Sequence, residues 1–229
     1  MGAPDAVRPE YRKLASDLPT LAAPFGCALP EVVLRDVETF TLAMECVDRL
    51  LDGIADPRAR RAFGDAVMAA LEESAPPGTA CSPDFTPELE ARLFALREVL
   101  ARRRMSERFC QLARQALSNT ELIRTTRSRR QFVAAVEIEG RLTVELTLTL
   151  LEGHSTEAFV GFLRSLAELC NLADKLLDAR GDFERGEMAC RPGLGLHALL
   201  AVALLRRLPG AARRHPRLGG FVTWGLGYL

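Results

Sequence analysis

The sequence predicts an all-α protein, and three observations predict it. Apolar residues recur every three to four positions over most of the chain. The alternating Val/Ile/Thr runs that make strands are nearly absent. Helix-starting and helix-stopping residues punctuate the periodic segments at helix-length intervals. With 229 residues, 48% apolar but only 6% aromatic, a single domain with a core mainly of Ala, Leu and Val is expected.

The N-terminal segment 1–29 receives no element. A long helix is expected over about 30–55, "PEVVLRDVETFTLAMECVDRLLDGIA". Asp56-Pro57 reads as an N-cap with proline in the first turn, opening a helix to about Glu73. "SAPPGTACSPDFTPE" is the one clear loop, and Thr86-Pro87-Glu88 starts the next helix, to about Arg104. Another follows at 106–126. Ser128 with Gln131 suggests a capping box for a helix to about Leu151. Gly140, a weak helix former inside that element, marks a kink, a close approach or mere tolerance. Gly153 is a stop and Ser155 or Thr156 a restart, for a helix from Glu157 to about Gly181. "FERGEMACRPGLG" looks irregular, a last helix covers about 196–208, and the tail 209–229 has no clear structure. The helical domain is therefore 30–208.

Charge excludes little but not nothing. The formal net charge is zero, so nothing global attracts nucleic acid or an anionic membrane, and no nucleic acid is expected as a partner. Among the thirty basic residues only Lys13 and Lys175 are lysines, a bias that a GC-rich coding sequence explains more simply than anion binding. The basic runs "ARRRMSER" and "RTTRSRRQ" read first as solvated helix ends. Cys27, Cys46, Cys81, Cys110, Cys170 and Cys190 form no CxxC pair and no ligand spacing with His154, His197 and His215. They read as reduced, mostly buried thiols, and the histidines as loop or core residues. "MGAPDAVRPEYRK" lacks the apolar core of a signal peptide, so a cytoplasmic location is expected. The apolar run "LHALLAVALL" is about half the length of a bilayer span. With its trailing arginines it reads first as core packing and second as a peripheral membrane contact.

Two stretches carry rows of acids. In "CNLADKLLDARGDFER" a helical projection puts Asn171, Asp174, Lys175, Asp178, Asp182 and Arg185 on one stripe, with Leu169, Leu172, Leu176 and Ala179 elsewhere. Acids four apart repel by a few tenths of a kcal/mol per pair, roughly, so something must offset them. Lys175 and Arg185 could do so as a solvated ion-pair face. The second stretch, "ECVDRLLD", puts Glu45, Asp48 and Asp52 on one stripe with Thr41, in a segment otherwise apolar over most of its circumference. Carboxylates on such a helix would face a cavity, where a counter-charge is needed. Facing aspartate pairs across a bundle would suit Mg²⁺, which takes oxygen ligands and commonly arrives with substrate phosphates. Glu137 and Glu139, flanking Gly140, read first as surface acids.

"ECVDRLLDGIADPRAR" resembles the first aspartate-rich motif, DxxxD in a long helix, of the squalene/phytoene synthase family. "NLADKLLDARGDFERGEMACRP" resembles that family's second motif more closely: Asp174, Asp178, Asp182, Gly186 and Glu187 fill its places in order, at about the family's distance from the first. "RTTRSRRQFVAAVEIEGRLTVEL" sits where the family has an Arg-rich turn and a helix of small cavity-lining residues. The resemblance spans roughly 30–192. It implies a single-domain, all-α isoprenoid-synthase-like bundle with a central cavity, and a Mg²⁺-dependent synthase that ionises an allylic prenyl diphosphate. Asp48, Asp52, Asp178 and Asp182 would be the catalytic metal ligands, Asp174 an auxiliary one. Arg58, Arg124, Arg127 and Lys175 would contact the diphosphate. The chain departs from the family in lacking an aromatic and basic segment before the first motif and in carrying Glu187 where arginine is frequent. A single-substrate terpene cyclase and a non-catalytic helical partner or assembly protein are the alternatives. A homodimer is compatible with all three.

Overall fold

A computed structural model describes residues 9–72 and 85–215. It is all-helical over those residues, with α1 (Pro9–Ala22), α2 (Glu31–Gly53), α3 (Pro57–Glu72), α4 (Pro87–Arg103), α5 (Ser106–Thr125), α6 (Arg129–Leu150), α7 (Glu157–Arg185) and α8 (Leu194–Arg214). The loop at 73–84, with Cys81, and the tail beyond His215 lie outside the described residues. The chain divides into two compact units: residues through Ala113 with Thr147–Thr156, and Arg114–Leu146 with the chain from Glu157 onward.

In the first unit α2 packs against α1 and α4, and α3 against α4. Their buried faces supply Leu18, Leu21, Val33, Val37, Phe40, Val47, Phe63, Leu89, Leu93 and Leu96. Phe40 meets Phe109 edge-on at 5.6 Å. The buried Asp36 is clamped by Arg102 and by Arg103 Nε at 2.6 Å, a paired charge where an unpaired one would be costly. Asp56 caps α3, accepting from the amides of Arg58 and Ala59, and Thr86 Oγ1 caps α4 by accepting from Leu89 N, as their sequence positions predict. Helix α1 was not expected. Pro19 in its interior costs about 3 kcal/mol by removing a helical hydrogen bond. Burial of Ala15, Leu18, Leu21 and Ala22 along one face offsets that cost.

In the second unit Phe132, Val133, Val136, Leu172, Ala179, Met188, Cys190, Leu196 and Leu200 form one apolar cluster drawn from α6, α7, α8 and the segment before α8. Gly140 is a point of close approach. A Cβ there would meet the Ala167 carbonyl oxygen at 2.9 Å and Asn171 Cβ at 3.0 Å, so only glycine lets α6 lie this near the α7 backbone. Helix α7 runs one turn past Gly181. It stops at Gly186, whose φ of +76° allows Glu187 N to donate to Asp182 O and Gly186 N to Phe183 O. That is a Schellman ending. Helix α8 is longer than expected at both ends and carries Pro209 inside it.

Candidate functional site

The second acidic row builds itself on α7. The uninterrupted helix carries Asp174, Lys175, Asp178, Asp182 and Arg185 along one side. Gly181 belongs to this arrangement. A side chain there would strike Asp178 Oδ1 at 2.5 Å and Arg185 Nη1 at 2.8 Å, so the missing Cβ is the space through which these two reach each other. Arg185 Nη2 lies 2.8 Å from Asp178 Oδ2 and 2.6 Å from Asp182 Oδ1, and its Nε 2.8 Å from Glu187 Oε1. Lys175 Nζ lies 2.7 Å from Asp182 Oδ2 and 3.8 Å from Asp174. Asp182, 4% exposed, is the buried hub that both cations share.

Helix α6 closes one flank. Asn171 Nδ2 donates to Val136 O at 2.6 Å and to Glu139 Oε2 at 3.2 Å. This holds Glu139 beside the acid row. Burial pulls the Lys175 ammonium down, but Glu139, Asp182 and Asp174 outweigh it and raise its pKa, so it is a fixed cation. Burial also raises Asp174, with Asp182 and Asp178 pushing the same way against Lys175. The Cys170 thiol is pushed up to about 11 by burial and by Asp174, and is inert as a nucleophile near neutral pH.

The first acidic row lies on α2, in the other unit. Asp48 and Asp52 are half-buried and Glu45 is 1% exposed. Among the described residues neither Glu45 carboxylate oxygen has a hydrogen-bond partner. Its counter-charge is Arg49, whose Nε stands 3.5 Å away and whose Nη2 donates to Glu88 at 2.9 Å. Thr41, on the same stripe, is buried and spends its hydroxyl on Glu38 O at 2.9 Å.

The structure thus gathers Asp174, Lys175, Asp178 and Asp182, and keeps Asp48 and Asp52 one turn apart on α2. Arg58 is exposed in the first turn of α3, Arg124 half-buried in the last turn of α5, and Arg127 exposed between α5 and α6. Sequence reasoning placed Arg185 on the stripe as a counter-charge to the acids, which its contacts with Asp178, Asp182 and Glu187 match, and read Glu139 as a surface acid. The signal for Glu139 was its position one residue before the glycine that brings the two helices together.

Hard carboxylate oxygens suit Mg²⁺ by donor chemistry. The acids Glu139, Asp174, Asp178, Asp182 and Glu187 gather around Lys175 and Arg185. Among the described residues no three His, Cys, Asp or Glu side chains form a ready-made metal cage. No family model matches the chain, and neither a curated protein nor a solved structure matches it.

Proposed function

We propose that the protein is a Mg²⁺-dependent synthase that ionises a prenyl diphosphate, of squalene/phytoene synthase-like architecture. The observation that carries this reading is the carboxylate row on α7, centred on the buried Asp182, with more acid than its own cations neutralise. Asp174, Asp178 and Asp182 on α7 would hold Mg²⁺, and Asp48 and Asp52 on α2 are proposed as metal ligands within their own unit. The metal, when bound, supplies Lewis acidity toward the departing diphosphate.

The chain's own residues account for the rest. Lys175 is a fixed positive charge, and beside a diphosphate it would bind phosphate oxygens in place of Asp182. Arg185, spread over three carboxylates, can exchange partners in the same way. Arg58, Arg124 and Arg127 are further candidates for diphosphate contacts. Asn171 and Glu139 fix the α6 flank of the row and so orient it. Condensation of two substrates leads; cyclisation of one is the alternative within the same chemistry.

A second reading has its own observation. The α7 acids are already engaged by Lys175 and Arg185, as a non-catalytic helical partner protein would require. Incubation with Mg²⁺ and farnesyl or geranylgeranyl diphosphate, followed by an assay for pyrophosphate, separates the two. The synthase reading expects release that Asp178→Asn abolishes. No release from any prenyl chain length leaves the non-catalytic reading standing.

A further inference from the structure

Helix α8 presents two faces of the same apolar character with different surroundings. One is packed: Leu196 and Leu200 are fully buried in the α6–α7 cluster, and Leu199, Ala203 and Leu204 rest against it. Arg207 fixes that orientation by reaching Glu137 on α6 at 3.0 Å and Glu168 on α7. The other face is open. Leu194 is 93% exposed, Leu205 63%, Val202 42% and Leu208 36%, and Ala198, Pro209 and Ala212 are exposed among them. At 3.6 residues per turn these seven occupy roughly a third of the circumference, with no charged or polar side chain between them. Exposed Arg206 and Arg213 line one edge of the stripe, and Arg214 ends the helix.

We propose that this face of α8 docks in the plane of an anionic lipid bilayer. By length and composition α8 could cross a membrane, and it is the one such helix among the described residues. Its packed side and the ion-paired Arg207 tie it to the protein along its length, so it lies on the surface rather than through it. Charge decides the occupant. A continuous apolar stripe edged by arginines, with no exposed acid on α8, complements apolar chains beneath negative headgroups. The sequence after α8 also carries Trp224 and Tyr228, residue types enriched at membrane interfaces. None of this rests on the proposed reaction, although a hydrophobic substrate or product would be delivered where it is soluble.

The test is co-sedimentation of the full chain with vesicles of phosphatidylcholine mixed with phosphatidylglycerol, and of phosphatidylcholine alone. Binding to the mixed vesicles is expected, weaker to the neutral ones, and weaker at high salt. Leu205→Asp should lower partitioning more than tenfold. Arg213→Ala should lower it about fivefold, the size of one basic residue near an anionic surface. Both positions are exposed, so unchanged circular dichroism and melting serve as the folding control. Binding that survives Leu205→Asp and Val202→Asp together overturns the proposal. So does a homodimer in light scattering that Leu205→Asp dissociates, which assigns the face to a second copy. A monomer that ignores both kinds of vesicle overturns it as well.

Discussion

Replacing Lys175 by methionine keeps the length of the side chain and removes the charge. Lys175 Nζ is 2.7 Å from the buried Asp182, and its side chain is only 19% exposed. Breaking a buried pair costs about 3–5 kcal/mol, because the remaining charge is left uncompensated. Asp182 keeps a second partner, Arg185, at 2.6 Å, though that arginine is half-exposed. The expected loss is therefore about 2–3 kcal/mol, smaller than for an isolated pair. For a chain of this size that is about 5–10 °C in Tm. Thermal melting by circular dichroism, without divalent cations, measures it. The double variant Lys175→Met/Asp182→Asn should recover at least about 1 kcal/mol, since it removes the orphaned charge with its partner. Adding Mg²⁺ should narrow the deficit of Lys175→Met, the metal standing in for the ammonium. A loss below about 0.5 kcal/mol, or strictly additive single variants, would refute the reasoning, because the network would then be an ordinary solvated face.

Three further outcomes are expected. Burial raises Asp174 in the folded state, so its contribution to stability is present below the unfolded value of about 3.9 and lost as pH rises through the folded value. Asp174→Asn should therefore raise Tm near neutral pH and change it little under acid conditions, which melts across a pH series will show. Gly140→Ala places a methyl against a backbone oxygen that cannot yield; a net loss of about 1–2 kcal/mol is expected despite alanine's better helix propensity, measured by urea denaturation. Arg104 ends α4 with φ at 59°, a strained position for a residue with a Cβ, so Arg104→Gly should gain about 1 kcal/mol in the same assay.

Much of the fold was legible because local chemistry and tertiary packing agree. Asp56 and Thr86 cap the helices they precede, and α2 and α4 run within a residue or two of their expected bounds. Legibility failed where packing overrides local preference. Helix α1 was given no element, and it holds despite its internal Pro19 through the face it buries against α2. Gly181 looked like a stop, yet it continues α7 because the Asp178–Arg185 pair fills the space a side chain would take, while Gly186 terminates the helix by its left-handed φ. The stripe of the second motif follows from helical periodicity and was readable. Its two counter-charges, Lys175 and Arg185, were readable as well, but not the sharing of Asp182 between them, which depends on rotamers, nor the approach of Glu139, which depends on a helix crossing that one glycine permits. Helix α8 shows the opposite case. Its composition suggested core, and half of it is core, but the pattern could not say which leucines stay outside.

The most direct test of the central claim is calorimetric titration with a non-ionising thiodiphosphate analogue of farnesyl diphosphate, with and without Mg²⁺, on the wild type, Asp174→Asn and Asp178→Asn. The account predicts binding that requires Mg²⁺ and is weakened at least tenfold by either substitution. Binding that ignores Mg²⁺, or that Asp178→Asn leaves unchanged, would contradict it.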